Sequence, residues 1–538
     1  MSFRVQRLSN PTEWKELEDL LKKNQSRPGI ADNILRHLQL CGAASVLIEE
    51  DYIDRDFSEA YSAYYSKTFR RHTKLCKRLV FFASDVSFIK TETDVLDTAH
   101  RLQSQPCLGH IVLRPISKAP IGNATLTIPP PPAGYEGELL VKSNYVAHAL
   151  GAELAVSGVP MTQQDSRVGA CAQAAIWSAA RHLHAKHRGA WMSIVSITAA
   201  ATKLTQSVTN LQLPAGSEGL TVDNMVAALR SADREPLIYA KQRDPSQGGA
   251  LTWGQLRPVD IIDRYVDSGI PVILSLEFPG ASVGHAVLAT GRVTGSTPRN
   301  PGNPNPTMAE YCYAFYVNDD QLGSNLRMPV SPNPSLSETI YNVQDNLAFV
   351  IIPLPGKVYL PAETAEIIAW NAMQRYANDW ALHKARKSGK LGASEALGDT
   401  LVSDFSAKHV IARTYLTYGW KYKQRAIRNR LGNSVRQAIR KVDLPRFVYV
   451  TEFSTLQTNA PTDRYARRIL AHAVVDATAK HQDVDSLLIF HAPGVLSWHA
   501  HEPDGTLDQK IAAVKDSQPY FAKERGSVDF AVHEAAGP

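Results

Sequence analysis

The apolar positions of this chain change period several times, and each change predicts an element. Between residues 14 and 23, Trp14, Leu17, Leu20 and Leu21 recur at helical spacing, and Pro28-Gly29 breaks the pattern. A second helical stretch follows, with Ile30, Ile34, Leu35 and Leu38 on one face. The runs 45–50, 78–82 and 109–115 read as strands. Residues 57–69 carry Tyr61, Tyr64, Tyr65 and Phe69, which fits a helix or an aromatic layer. Pro129 to Pro132 predicts a stiff extended linker.

Further on, an Ala-rich helical pattern begins abruptly at Cys171, after the polar, Gly-containing stretch 161–170. Thr221 is a plausible N-cap for a helix over 222–229. Residues 271–278 predict a buried strand, and 284–293 a second one after a Pro/Gly turn. Residues 315–320 predict a strand ending in Asn318, Asp319 and Asp320. Residues 361–380 and 404–418 look like amphipathic helices, and 447–450, 470–475 and 487–490 like strands. The tail from about 510 is polar and is expected to be mobile.

The fold class expected is α+β, in four segments. These are an N-terminal α/β accessory domain over 1–150, a catalytic domain over 151–355, a helical basic segment over 356–445, and a strand-rich segment with a polar tail over 446–538. With 44% hydrophobic and 20% charged residues in 538, the chain has an ordinary globular composition, and a net charge of +6 does not argue for nucleic acid. The first residues lack an apolar signal core, and no apolar run approaches the ~20 residues needed to cross a bilayer. The five cysteines are scattered, without a Cys-x-x-Cys pair, as in a reducing compartment without a disulfide framework. A cytoplasmic protein without a membrane partner is expected.

Cys171 carries the clearest chemistry. At the first position of a helix, the partial positive charge of the helix end favours a thiolate. Backbone N–H groups there can receive a developing oxyanion, and Gln163 and Gln164 stand close enough in sequence for an amide to loop back and complete the hole. Arg167 adds local positive charge. The histidines on the same helix do not suit the role of base: at ~1.5 Å rise per residue, His182 lies about 16 Å along the axis, whereas a hydrogen bond needs ~3 Å. His182, His184 and His187 are therefore expected to form a solvated basic helix end. His285 follows Gly284 on a strand that can fold beside the helix. For the orienting group, period two places Val317 and Asp319 on one strand face and Asn318 and Asp320 on the other. Asp319, at the end of the apolar run, is preferred, with Asn318 and Asp320 as alternatives.

The order Gln164, Cys171, His285, Asp319 resembles the papain-like superfamily of cysteine peptidases, and within it the bacterial C39-like branch, over about residues 155–355. The resemblance implies a Cys-bearing helix packed on an antiparallel sheet that carries His and Asp. It also implies Gln164 in the oxyanion hole, Cys171 as nucleophile, His285 as proton shuttle and Asp319 as orienter, with no metal and no organic cofactor. Ala172-Gln173 stand where the family often has Gly-Pro, the gap from Gln164 to Cys171 is one residue longer than in papain, and Asp320 replaces a following proline. A protein or peptide substrate is implied, and activation by a regulatory protein or ligand is compatible. The alternatives are an acyltransferase or transglutaminase-like enzyme using the same thioester, and a non-enzymatic scaffold with a degenerate peptidase domain.

Two other groupings are weaker. The basic run Lys421, Lys423, Arg425, Arg428, Arg430, Arg436, Arg440 and Lys441, with Tyr415, Tyr418, Trp420 and Tyr422 before and within its start, has the residue types for single-stranded nucleic acid. The plainer expectation is a solvated helix face. His491, His499, His501 and Glu502 contain a His-x-His ligand pair but no third ligand fixed by spacing, so a structural or surface role is expected.

Overall fold

The computed structural model of the chain describes all residues except 1, 28, 92, 166–169, 203–219, 281–283, 430, 464, 481–485, 502, 503, 505 and 522–538. It is a mixed α+β structure built on several antiparallel sheets.

The N-terminal sheet has five strands in sequence order: Phe3–Arg7, Ser45–Tyr52, Cys76–Phe82, Cys107–Leu113 and Ile121–Leu126. Its alternation sets two faces. Val46, Ile48, Leu79 and Phe81 pack under the helices Pro11–Lys22 and Gly29–Leu40, through Leu17, Leu21, Ile30 and Ile34. Leu47, Val80 and Phe82 face the other way. The first helix starts in a reciprocal cap: Asn10 Oδ1 accepts from the Glu13 N–H at 3.1 Å, and the Glu13 carboxylate accepts from the Asn10 N–H at 3.3 Å. The 57–69 stretch forms the helix Arg55–Ala63 and a short 3-10 turn, Tyr65–Lys67.

After the proline linker the chain enters the central sheet at once. Glu136–Leu139 pairs with the far half of the strand His285–Thr294. The sheet continues in the order Gly323–Pro329, Cys312–Asp319, His285–Thr294, Val272–Leu276, Leu347–Pro355 and Arg234–Ala240. The boundary expected at 150 falls at the tip of a hairpin, Ser143–Ala149 with Ala152–Gly158. Leu150 and Gly151 make the tip with positive φ angles of 51° and 82°. Ala147, Ala149, Ala152 and Leu154 of this hairpin cover the second face of the N-terminal sheet.

The last sheet runs Val410–Tyr418, Phe447–Thr455, Ala471–Asp476, Leu487–Ala492, Val495–His501 and Leu507–Ala513. The helix expected over 404–418 is corrected: the helix Ala393–Ser406 ends there and residues 410–418 are a strand. Val410, Ala412 and Leu416 face the main core while Tyr415 faces the opposite cluster, a period of two rich in β-branched and aromatic residues. One sheet thus spans the segment boundary expected at 445. Ala362–Arg386 packs on one face of it. Gly419–Arg428 and Asn433–Lys441 pack on the other. Of the polar tail, Leu507–Ala513 and Tyr520–Phe521 are strands, and the residues after 521 lie outside the described ones. Among the described residues, no helix is long and apolar enough to cross a membrane.

Candidate active site

The helix Cys171–His187 starts at Cys171 itself, after Ala170 in extended conformation, and the Gln173 side chain accepts the Ala170 N–H at 3.2 Å. Alanine favours the helix and keeps it slim, so it lies close to the central sheet with every residue from Ala172 to Leu183 buried. Two contacts fix it from the N-terminal side, where Asp56 accepts from Trp177 Nε1 at 3.1 Å and pairs with Arg181. Cys171 is half-buried at the end of this helix. Residues 166–169, and with them Arg167, lie outside the described residues.

His285 opens its strand directly opposite Leu276. The preceding glycine is required by close approach: a Cβ at Gly284 would stand 2.8 Å from the Leu276 carbonyl oxygen. The imidazole is buried and uses both nitrogens. Nε2 meets Asp319 Oδ2 at 3.0 Å, Nδ1 lies 3.2 Å from Gln321 Nε2, and Cys171 stands near enough to favour the charged ring. Asp319 is fully enclosed and receives more donors: the Tyr341 hydroxyl on Oδ2, and the Gln321 and Leu322 N–H groups on Oδ1 at 2.7 and 3.1 Å.

These contacts set the charges. Burial disfavours a charged His285, but the Asp319 carboxylate and the bonds to Asp319 and Cys171 outweigh it and lift the ring to about 11. Burial would likewise raise Asp319, and the His285 charge with the surrounding donors holds it below its ordinary value. Asp320 behaves in the opposite way. Both its carboxylate oxygens are buried without a hydrogen-bond partner among the described residues, and burial plus the Asp319 charge push it up to about 7. Gln321 adds a constraint. Arg27 donates to its Oε1, so its Nε2 faces the imidazole. An amide donor suits a neutral Nδ1, so the charged ring requires Gln321 to turn.

The expected site residues separate clearly. Cys171, His285 and Asp319 come together from the helix end, one strand start and one strand end. Gln164 is half-buried and lines a cavity of about 250 Å³ with Asp320, Gln321, Arg27 and Lys118. Gln163 is tied up: its Oε1 accepts the Ile121 N–H at 3.2 Å and its Nε2 donates to Gln25 at 2.9 Å, which fastens this loop to the N-terminal sheet. Asn318 points away, donating to the Val159 and Pro160 carbonyls at 3.1 and 3.4 Å and accepting the Asn325 N–H at 3.0 Å. Asp320 does not share the Asn318 side as strand alternation expects. The strand ends at Asp319, the alternation ends with it, and Asp320 Oδ1 comes to 4.0 Å from His285 Nε2.

His285, Asp319 and Asp320 each offer one ligand atom, all within 4.8 Å of one another, so a cation is sterically conceivable there. It would compete with the 3.0 Å hydrogen bond that already uses His285 Nε2 and Asp319 Oδ2. The solvated helix end expected for His182 is corrected: His182 is buried against Ser143 Oγ at 3.1 Å. The basic run is also only partly a solvated face, because Lys421 and Arg425 are buried, as are Tyr415 and Tyr422. In the C-terminal histidine grouping, His491 is buried and His499 Nδ1 lies 2.6 Å from the Leu487 carbonyl, while Glu502 lies outside the described residues. Tyr341, Gln321 and Arg27 were not anticipated. Gln321 had a signal in following the two aspartates, whereas Tyr341 and Arg27 had none.

No family model matches the chain, and no curated protein matches it.

Proposed function

We propose that the chain is a cysteine-dependent amide hydrolase acting on a peptide or protein, a papain-like arrangement in its chemistry. One observation carries the reading: the Cys171 helix start, the His285 ring and the buried Asp319 come together, with His285 Nε2 bound to Asp319 and Cys171 among the groups that favour the charged ring. In the cycle proposed, the Cys171 thiolate, paired with the charged His285 ring, attacks the substrate carbonyl carbon through its sulfur. The tetrahedral oxyanion is held by the Cys171 N–H at the helix start and by the Gln164 amide. The C–N bond breaks as the charged His285 ring gives its proton to the leaving amine, leaving a thioester and a neutral ring. Water attacks the thioester as His285 takes its proton, and the C–S bond breaks to release the acid and restore the thiolate beside the charged ring. Asp319 keeps the ring oriented and stabilises its charge, and Tyr341 and the two backbone N–H groups keep Asp319 ionised.

The test is labelling of the full chain with a peptidyl electrophile that targets thiols. Wild type should label at Cys171, Cys171→Ala should not label, and His285→Ala should label far more slowly. Equal labelling of wild type and Cys171→Ala would overturn the assignment. Gln164→Ala should lower amide turnover by about 10²–10³ with the labelling stoichiometry intact.

A further inference from the structure

A larger cavity, about 400 Å³, lies where the central and C-terminal sheets meet, and shares no lining residue with the one lined by Gln164 and Gln321. Arg292 enters it from the strand His285–Thr294, Arg413 from Val410–Tyr418 and Arg467 from the loop after the strand Phe447–Thr455. Thr294 Oγ1 fixes that loop by donating to the Pro461 carbonyl at 3.0 Å. Met308 and Leu139 give the cavity an apolar wall, and Lys142 also lines it.

The arginines share too few carboxylates. Arg292 pairs with Asp263 at 2.6 Å and Asp267 at 3.5 Å, and Arg413 takes Asp267 at 2.6 Å and Glu452 at 3.3 Å. Glu452 also serves Arg425 and, at 3.5 Å, Arg467. In the pairs formed among the described residues, four guanidinium groups thus share three acids. The shortfall falls on Arg467, which is 3% exposed. Its Nε donates to Ser454 Oγ at 3.2 Å, while its buried Nη2 has no partner among the described residues. Burial pulls its guanidinium down to about 10 despite Glu452, whereas Arg292 and Arg413 are raised by their carboxylates against the same pull. Three further acids line the cavity. Glu136 is exposed, Glu138 is half-buried, and exposed Asp463 accepts the Tyr465 and Ala466 N–H groups at 2.9 and 3.2 Å.

We propose that this cavity binds a small organic anion, with a carboxylate or phosphate head completing Arg467 beside Arg413 and an apolar portion against Met308 and Leu139. The volume suits a metabolite, since small-molecule sites span roughly 300–1,000 Å³. An anionic head would supply the acceptor that Arg467 Nη2 lacks, and a buried ionised donor left unpaired is the arrangement a purely structural network avoids.

The experiment is thermal unfolding of the full chain in inorganic phosphate, in acetate and in chloride at equal ionic strength, with phosphate affinity measured by calorimetry. Phosphate or acetate should raise the unfolding temperature by several degrees over chloride, and the stronger of the two identifies the head group. Arg467→Gln should weaken binding of that anion at least tenfold. Should that variant fail to fold, Lys142→Glu at the cavity lining must do the same. Equal unfolding temperatures in the three salts overturn the proposal, as does unchanged affinity in whichever variant folds.

Discussion

Two of the regions that bury histidines shift their charge in opposite directions. His285 is raised, whereas His472 and His491, on adjacent strands of the C-terminal sheet, are lowered, His491 to about 4. Burial lowers all three, so burial is not what separates them. Nor is the mere presence of a carboxylate, because Glu452 stands directly across the ladder from His472. The difference lies in what else that carboxylate holds. Glu452 is shared by Arg413, Arg425 and Arg467, and the His472 ring is left with the hydroxyls of Tyr422 and Tyr520. Among the described residues Asp319 pairs with no arginine, and its charge goes to His285. A buried histidine becomes a charged group where a carboxylate is reserved for it.

The largest effect should come from removing that reservation. Asp319→Ala should lower amide turnover by about 10²–10⁴. The His285 ring, followed by NMR, should then lose its charge well below the pH at which wild type does. A ring still charged at pH 9 in this variant would break the comparison. The next concerns acid stability. His491 binds its proton more weakly folded than unfolded, so its contribution is full above about pH 6.5 and is lost as pH falls toward 4, amounting to about 3 kcal/mol. His491→Gln should flatten the denaturant midpoint over that window. Asp320 has the reverse slope for an acid: its raised value makes folding less favourable as pH climbs from about 4 to 7. Asp320→Asn should therefore stabilise the chain by about 4 kcal/mol at pH 8 and by almost nothing at pH 4. The smallest effect is a test of sharing. Arg425→Gln frees part of Glu452, and the His472 ring should titrate at higher pH than in wild type.

The parts of the site that follow a local period were legible in the sequence. An Ala-rich helix starting at Cys171, a strand starting at His285 and one ending at Asp319 are each announced by their neighbours. What was not legible lies across the chain or at an element's end. Arg27 reaches Gln321 over 294 positions, a contact that leaves no trace in spacing. Asp320 was misplaced because strand alternation was carried one residue past the strand. His182 was read as surface because a helix with apolar, small residues on every side gives no stripe to mark what is inside. Residues 404–418 fit a helical period and an alternating one equally well over so short a run, and the sheet decided between them.

The contacts of Gln163 set a limit on how this chain can be divided. Gln163 is stitched to Gln25 and Ile121, while Arg27 and Lys118 form part of the cavity that Gln164 and Gln321 line. A fragment trimmed to 155–355 would keep the thiol, the imidazole and the carboxylate, yet lose the anchorage of the Gln164 loop and the side of the cavity that Arg27 and Lys118 form. The first 130 residues therefore hold part of this site in place, and an excised core that still reacted with a small electrophile would report on the sulfur without that cavity.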